Sequence, residues 1–272
     1  PAGNRIDLET ATFAEGFSAS DFDIIFPNVA NQYMDWIILL FMGGFIVAVA
    51  VEKWNLHKRI ALHTLRIIGG QPHRLVLGFM VATGFLSMWL SNTATALMMM
   101  PMGMSLVLLY EELNRKRVAE GCNADPRAEN FSLTLLLGIA YGASIGGFAT
   151  LIGTPPNGVL ITQMSQLFPD APEITFSTWM LFALPMSFIY MLIAWVLLTR
   201  FVFPLPASTP FSGKEFIQTE IRKLGTMSTE EKRVTGVFAT FAVLLITRKE
   251  RLFGEDIDVF GWSYYLDNIL RS

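Results

Sequence analysis

Apolar residues in this chain fall in long blocks. They show neither the two-residue alternation of half-buried strands nor the one-sided stripe of soluble helices. Trp36 to Val51 is almost wholly apolar and contains Gly43-Gly44. Leu75 to Leu109 carries no charged side chain, and neither does Phe131 to Phe168. Two further apolar runs cover 179–199 and 234–246. This pattern predicts an all-α membrane protein. Its crossing helices are expected at 36–51 and 179–199, with a short transmembrane segment at 234–246. Polar stretches separate the blocks: 1–35, 52–74, 111–130, 200–233 and a tail, 247–272.

Two of the blocks do not read as simple crossings. Basic residues flank Leu75 to Tyr110 on both sides, Arg74 before it and Arg115, Lys116 and Arg117 after it. Positive flanks favour the cytoplasm, so both ends are expected there. Two crossings need about 20 residues each plus a turn, more than this 36-residue stretch holds. The economical reading is a re-entrant hairpin over 75–110, with its tip at Ser91-Asn92-Thr93; a tight pair of spans with an external polar turn is the alternative. The second block, 131–168, would measure roughly 57 Å as one straight helix. Its middle reads Gly153-Thr154-Pro155-Pro156-Asn157-Gly158. Two consecutive prolines cannot continue a helix, and each pushes the preceding residue towards extended geometry. A broken transmembrane helix is therefore expected, with a simple kink or an extramembrane turn as the alternative.

Composition agrees. Hydrophobic residues make up 52% and charged residues 16% of the 272, well below the roughly one quarter charged in soluble domains. Charge distribution sets the topology. The three segments expected inside carry 5 (52–74), 4 (111–130) and 6 (200–233) Lys and Arg, while the two expected outside, 1–35 and 168–178, carry 1 and 0. The tail holds four and does not fit an outer position well. In 52–74, Leu56, Ile60, Leu65 and Ile68 recur at helical spacing among the basic residues, as in an amphipathic helix lying in the lipid interface. A solvated linker helix is the alternative there. One cysteine, Cys122, excludes an internal disulfide framework. A first residue of Pro and no signal peptide before the first apolar run suggest a processed or truncated chain.

Polar residues buried in apolar blocks need partners, because an unpaired polar group in hydrocarbon costs several kcal/mol. Broken helices expose free carbonyls at C-terminal ends and free N–H groups at N-terminal ends. Carbonyls with Ser and Asn oxygens suit a hard cation such as Na⁺. N–H groups, the Asn92 amide and the Thr93 and Thr154 hydroxyls suit a carboxylate. Interrupted apolar segments of this kind point to a transporter's binding site. Neither block contains Asp, Glu or His, which favours sodium coupling or exchange over proton coupling. Ser87 and Ser91 have no base in reach, and metal-hydrolase and Cys/His pairs are lacking, so no enzyme is expected.

Ser87-x3-Ser91-Asn92-Thr93, followed by Ile152-Gly153-Thr154-Pro155-Pro156-Asn157, resembles the divalent anion:sodium symporter family, from about Trp36 to Ile246. These are carriers of succinate, malate, fumarate, citrate and, in some branches, sulfate. The resemblance implies an inverted-repeat secondary transporter, usually a homodimer in the cell membrane, with an elevator-like moving domain. It implies a sodium site of Ser87, Ser91, Asn92 and the Gly153 carbonyl. Asn92, Thr93 and Thr154 would contact the substrate, 52–74 would be the arm tethering the moving domain, and 36–51 would belong to the scaffold. The family has two Ser-Asn-Thr hairpins; this chain has one, so a missing second repeat is expected to complete the pocket. Sodium-independent exchange, sulfate transport and a structural or channel subunit are the alternatives. Membrane lipid is an expected partner, and nucleic acid is not.

Overall fold

The computed structural model describes residues 36–121, 127–172, 174–206, 213–247 and 262. Expectations for 1–35, for Cys122 and for the tail beyond Thr247, Trp262 apart, lie outside the described residues. The chain divides into two units, Pro1–Met42 and Gly43–Ser272. Only the opening turns of the first helix are described in the first unit; the helix packing and the junction of helix ends belong to the second.

No strand occurs among the described residues. The helices are α1 (Trp36–Lys53), α2 (Leu56–Ile68), α3 (Pro72–Ser87), α4 (Asn92–Ala119), α5 (Ala128–Phe148), α6 (Pro155–Leu167), α7 (Phe176–Val196, continued by a π-helical turn, Leu197–Val202), α8 (Gly213–Leu224) and α9 (Thr229–Ile246). Three described stretches are long and apolar enough to cross a membrane: Asn92–Ala119, Glu129–Phe148 and Phe176–Val202.

α2 turns away from α1 by 74°. The elbow is Asn55, at φ 55°, a left-handed conformation that Asn tolerates better than most residues. α2 buries Leu56, His57, Ala61, Leu62 and Leu65 on one face and leaves Ile67 85% exposed on the other. Burial depresses the His57 imidazole below its ordinary value, outweighing the pull of the Val51 carbonyl. α2 is tied down by charge as well. Arg59 donates to both carboxylate oxygens of Glu231, Nη2 at 2.9 Å to Oε2 and 3.2 Å to Oε1, and to the Gly225 carbonyl at 3.2 Å. Glu231 also belongs to the capping box that starts α9, with Ser228 as the cap; the Ser228-Thr229-Glu230-Glu231 run signals that start in the sequence. Burial alone would raise the Glu231 carboxyl. The Ser228 N–H and Arg59 outweigh it and hold the group below the usual carboxylate range.

α5 is the central helix. A β-carbon on Gly138 would meet Met80 and Val76, one on Gly142 would lie 2.8 Å from Met80 O, and one on Gly146 would fall on the Gly84 backbone. The paired numbers rise together, so α3 and α5 run parallel. Glycines spaced four apart let their backbones touch, as small residues do in membrane helix pairs. Against α4 the order is reversed: Gly147 lies by Asn92, Gly103 by Ile139, and the Tyr110 ring 4.7 Å from that of Phe131. α4 is therefore antiparallel to α5, and α3 and α4 form the two arms of a hairpin turning at Met88–Ser91. The second arm continues beyond Tyr110 to Ala119. This extension carries Glu111, Glu112, Arg115, Lys116 and Arg117 and forms a charged helical stem, which includes an exposed Lys116–Glu112 pair.

Candidate functional site

Four helix ends meet where the hairpin turns. α3 ends at Ser87 and α5 at Phe148; α4 begins at Asn92 and α6 at Pro155. The two prolines occupy the first turn of α6, where missing N–H groups leave no hydrogen bond unmade. The break comes where the Pro-Pro pair predicts it. Ser91, at φ −63° and ψ 145°, caps α4 by accepting from Ala94 N at 3.3 Å.

Asn92 joins the two breaks. With its amide nitrogen inward it donates to the Gly153 and Ala143 carbonyls, both at 3.2 Å, and to Ser87 Oγ at 2.7 Å. Turned over, the carboxamide points its oxygen at the same three oxygens and accepts from the Ser87 hydroxyl at 2.7 Å. The hydrogen-bonding surroundings decide between the two: the first satisfies every group, and the second leaves a nest of oxygens facing one another. Ser87 is wholly buried. Glycine makes the room. A β-carbon on Gly147 would overlap the Asn92 side chain, and one on Gly153 would sit 2.8 Å from Ser87 O.

Two side chains brace this junction. Thr150 donates to the Met88 carbonyl at the hairpin turn and accepts from Gly153 N at 3.1 Å. Asn157, 5% exposed, reaches back from α6 to carbonyls freed at the end of α5: Gly147 at 3.2 Å, Phe148 at 3.5 Å and Thr150 at 2.7 Å. It thereby supplies the donors that the broken helix lacks. Trp89 covers the turn, stacked 6.3 Å from Phe176 and edge-on 5.6 Å from Phe238. Trp179 donates to Phe148 O at 3.1 Å, and Ser187 to Ile145 O at 2.8 Å.

Ser87, Asn92 and Gly153 are thus brought into direct contact. Ser91 lies beside them as a helix cap. Thr93 is exposed and Thr154 half-buried. They stand in the first turn of α4 and at the cap of α6, and neither hydroxyl is hydrogen-bonded among the described residues. Thr150, Asn157 and the Ala143 carbonyl escape sequence reasoning, although Asn157 lies within the motif that marks the break. Among the described residues no three His, Cys, Asp or Glu side chains cluster, so the polar groups at this junction are neutral.

The fold and this junction define a multi-pass helical membrane protein built around a helical hairpin and a broken helix. The chain belongs to the citrate transporter family, whose profile matches residues 5–253. It is 39% identical over 222 residues to a protein named sodium-dependent dicarboxylate transporter SdcS in Staphylococcus saprophyticus, covering 82% of this chain and 41% of the relative. Its namesake in Staphylococcus aureus strain NCTC 8325 matches to the same extent. The chain therefore spans about two fifths of the length of these curated relatives. The kinship expected from the Ser-Asn-Thr and Gly-Thr-Pro-Pro-Asn elements holds, and the relatives are carriers rather than enzymes.

Proposed function

We propose that this chain is one repeat of a carrier that moves di- or tricarboxylates across the cell membrane together with Na⁺, which is cargo and not a resident cofactor. The observation that carries the reading is the contact of Asn92 with Ser87 and the Gly153 carbonyl. When Na⁺ enters, the Asn92 carboxamide turns over from its nitrogen-inward orientation, and its oxygen joins Ser87 Oγ and the carbonyls of Gly153 and Ala143 in a cluster of neutral acceptors. A hard cation relieves such a cluster, and oxygen ligands suit it. Two carbonyl-bearing helix ends lie beside it, which adds negative potential. Ser91, the cap of α4, completes the sodium site with Ser87, Asn92 and Gly153. The N-termini of α4 and α6 carry the opposite potential, and there the Asn92 amide and the Thr93 and Thr154 hydroxyls receive a substrate carboxylate. The bound cation strengthens the hold on that anion, which gives coupling.

The hairpin is re-entrant in this reading. α3, at 16 residues, reaches about 24 Å, short of the ~30 Å apolar layer. Trp89 at its turn meets Phe238 near the middle of α9. The second repeat, in a longer chain, supplies the rest of the pocket, and the carrier works as a homodimer by an elevator-like movement with α2 as the tether.

The test is radiolabelled succinate uptake by the full-length carrier in proteoliposomes, with choline replacing Na⁺. Uptake should vanish without Na⁺, and Asn92→Ala should abolish it while the protein stays folded in the membrane. Uptake that needs only internal dicarboxylate would make the protein an exchanger. A carrier that takes sulfate and not succinate would correct the substrate. Failure to move any anion would favour a structural or channel subunit. Unchanged uptake in Asn92→Ala would defeat the site.

A further inference from the structure

A cavity of about 440 Å³ lies away from the junction, between the α1–α2 elbow, α4 and α8. Its volume falls in the roughly 300–1,000 Å³ range of small-molecule sites. Met98 and Met102 line it from α4 and Phe216 from α8, while Glu52, Lys58 and Glu220 stand among its polar residues. Met98 and Met102 are six and ten residues along α4 from Asn92, about 9 and 15 Å of helix, so this cavity is distinct from the ion and substrate site.

We infer that the cavity holds one acyl chain of a glycerophospholipid with a zwitterionic, primary-amine headgroup. The apolar part is lined by unbranched thioethers and a phenyl ring, which adapt to a flexible chain. The polar part offers both signs of charge. Lys58 and Glu52 are exposed and make no ion pair among the described residues, and Glu220 shares its carboxylate with Lys223 at 2.6 Å. A phosphate matches Lys58, and a headgroup ammonium matches Glu52 and Glu220. A purely anionic headgroup would leave those carboxylates opposed to it. The position fits as well. The charged residues lie where apolar α1 gives way to basic, amphipathic α2, the depth at which lipid headgroups meet an interfacial helix. The ligand wedges between α2 and the second hairpin arm.

The test needs neither substrate nor sodium, so its outcome is independent of the transport reading. The full-length carrier is placed in phosphatidylcholine nanodiscs with a trace of phosphatidylethanolamine carrying a diazirine in one acyl chain. It is then irradiated, and the labelled peptides are identified by mass spectrometry; the phosphatidylglycerol analogue is run in parallel. Labelling at Met98 and Met102 should be at least fivefold higher with the ethanolamine headgroup. Met102→Trp, which fills the cavity, should reduce it at least fivefold, while labelling at Leu181, 78% exposed on α7, stays constant. Glu52→Gln with Lys58→Gln, both at the surface, should erase the headgroup preference without unfolding the chain. Equal labelling by the two lipids, or labelling of Met98 that survives in folded Met102→Trp, would overturn the inference. So would labelling confined to α7, which would mean that protein and not lipid fills the space.

Discussion

Gly146 is the position where the packing of α3 on α5 leaves least room. A β-carbon there would lie 2.5 Å from Gly84 C and closer still to Gly84 O and Cα. Carbon contacts are optimal at about 3.5–4.0 Å, so Gly146→Ala must push the helices apart by about 1 Å. Backbone cannot turn aside as a side chain can. Overpacking of this kind costs about 1–3 kcal/mol, and a radial gap of 0.5–1 Å along the rest of the seam forfeits a quarter to a half of each contact's attraction. Alanine's better helix propensity returns about 1 kcal/mol. The net expectation is a loss of about 2 kcal/mol, or about 4–8 °C in melting temperature for a chain of this size. Gly236 on α9 is the control: a β-carbon there meets nothing within 4 Å, so Gly236→Ala should leave the melting temperature unchanged or raise it. Both are read by tryptophan-fluorescence melting of the detergent-solubilised chain, whose six tryptophans include Trp89 at the hairpin turn. If Gly146→Ala melts with the wild type while Gly236→Ala behaves as stated, α3 and α5 are not in backbone contact.

Asn157→Ala should cost about 1–3 kcal/mol by stranding the carbonyls at the end of α5, whereas Asn157→Gln, with a displaced amide, should recover part of it; equal melting of all three would argue against the brace. Arg59→Ala, which leaves the Glu231 carboxylate buried without its partner, should cost about 3–5 kcal/mol. The double variant Arg59→Met/Glu231→Leu should lie nearer the wild type than either single change in a double-mutant cycle, and strict additivity would contradict the pair. His57 is held below its ordinary value of 6.5 by burial. The unfolded chain therefore binds more protons below that pH, so stability is full above about 6.5 and falls as the pH is lowered. His57→Gln should flatten that part of the melting-temperature profile, and an unchanged slope would assign it elsewhere.

The sequence made the two breaks legible because their causes are local. Pro155-Pro156 stops the preceding helix from running on and suits the first turn of a new one, and a Ser-Asn-Thr run inside 35 uncharged residues demands partners. The Ser228–Glu231 capping box was readable for the same reason. The partners themselves were not. Arg59 and Glu231 are 172 residues apart, and nothing local announces that they meet. Thr150 looks like any helical threonine until the hairpin turn is set beside it. The Gly138, Gly142 and Gly146 spacing is itself a packing signal, but which helix it faces depends on the tertiary fold. α8 was hidden inside a stretch that reads as a basic connection, because its buried Ile217 is outnumbered by charged neighbours.

One hydroxyl ties the two loops together: Thr150 is bonded at once to the hairpin turn and to the residue that offers its carbonyl to Asn92. Neither loop can then be shortened, lengthened or exchanged alone. A chimera that imports one of them from a distant relative should lose its function even if Ser87, Ser91, Asn92 and Gly153 are kept, and importing both should restore it. In heredity, as in motion, they form a single part.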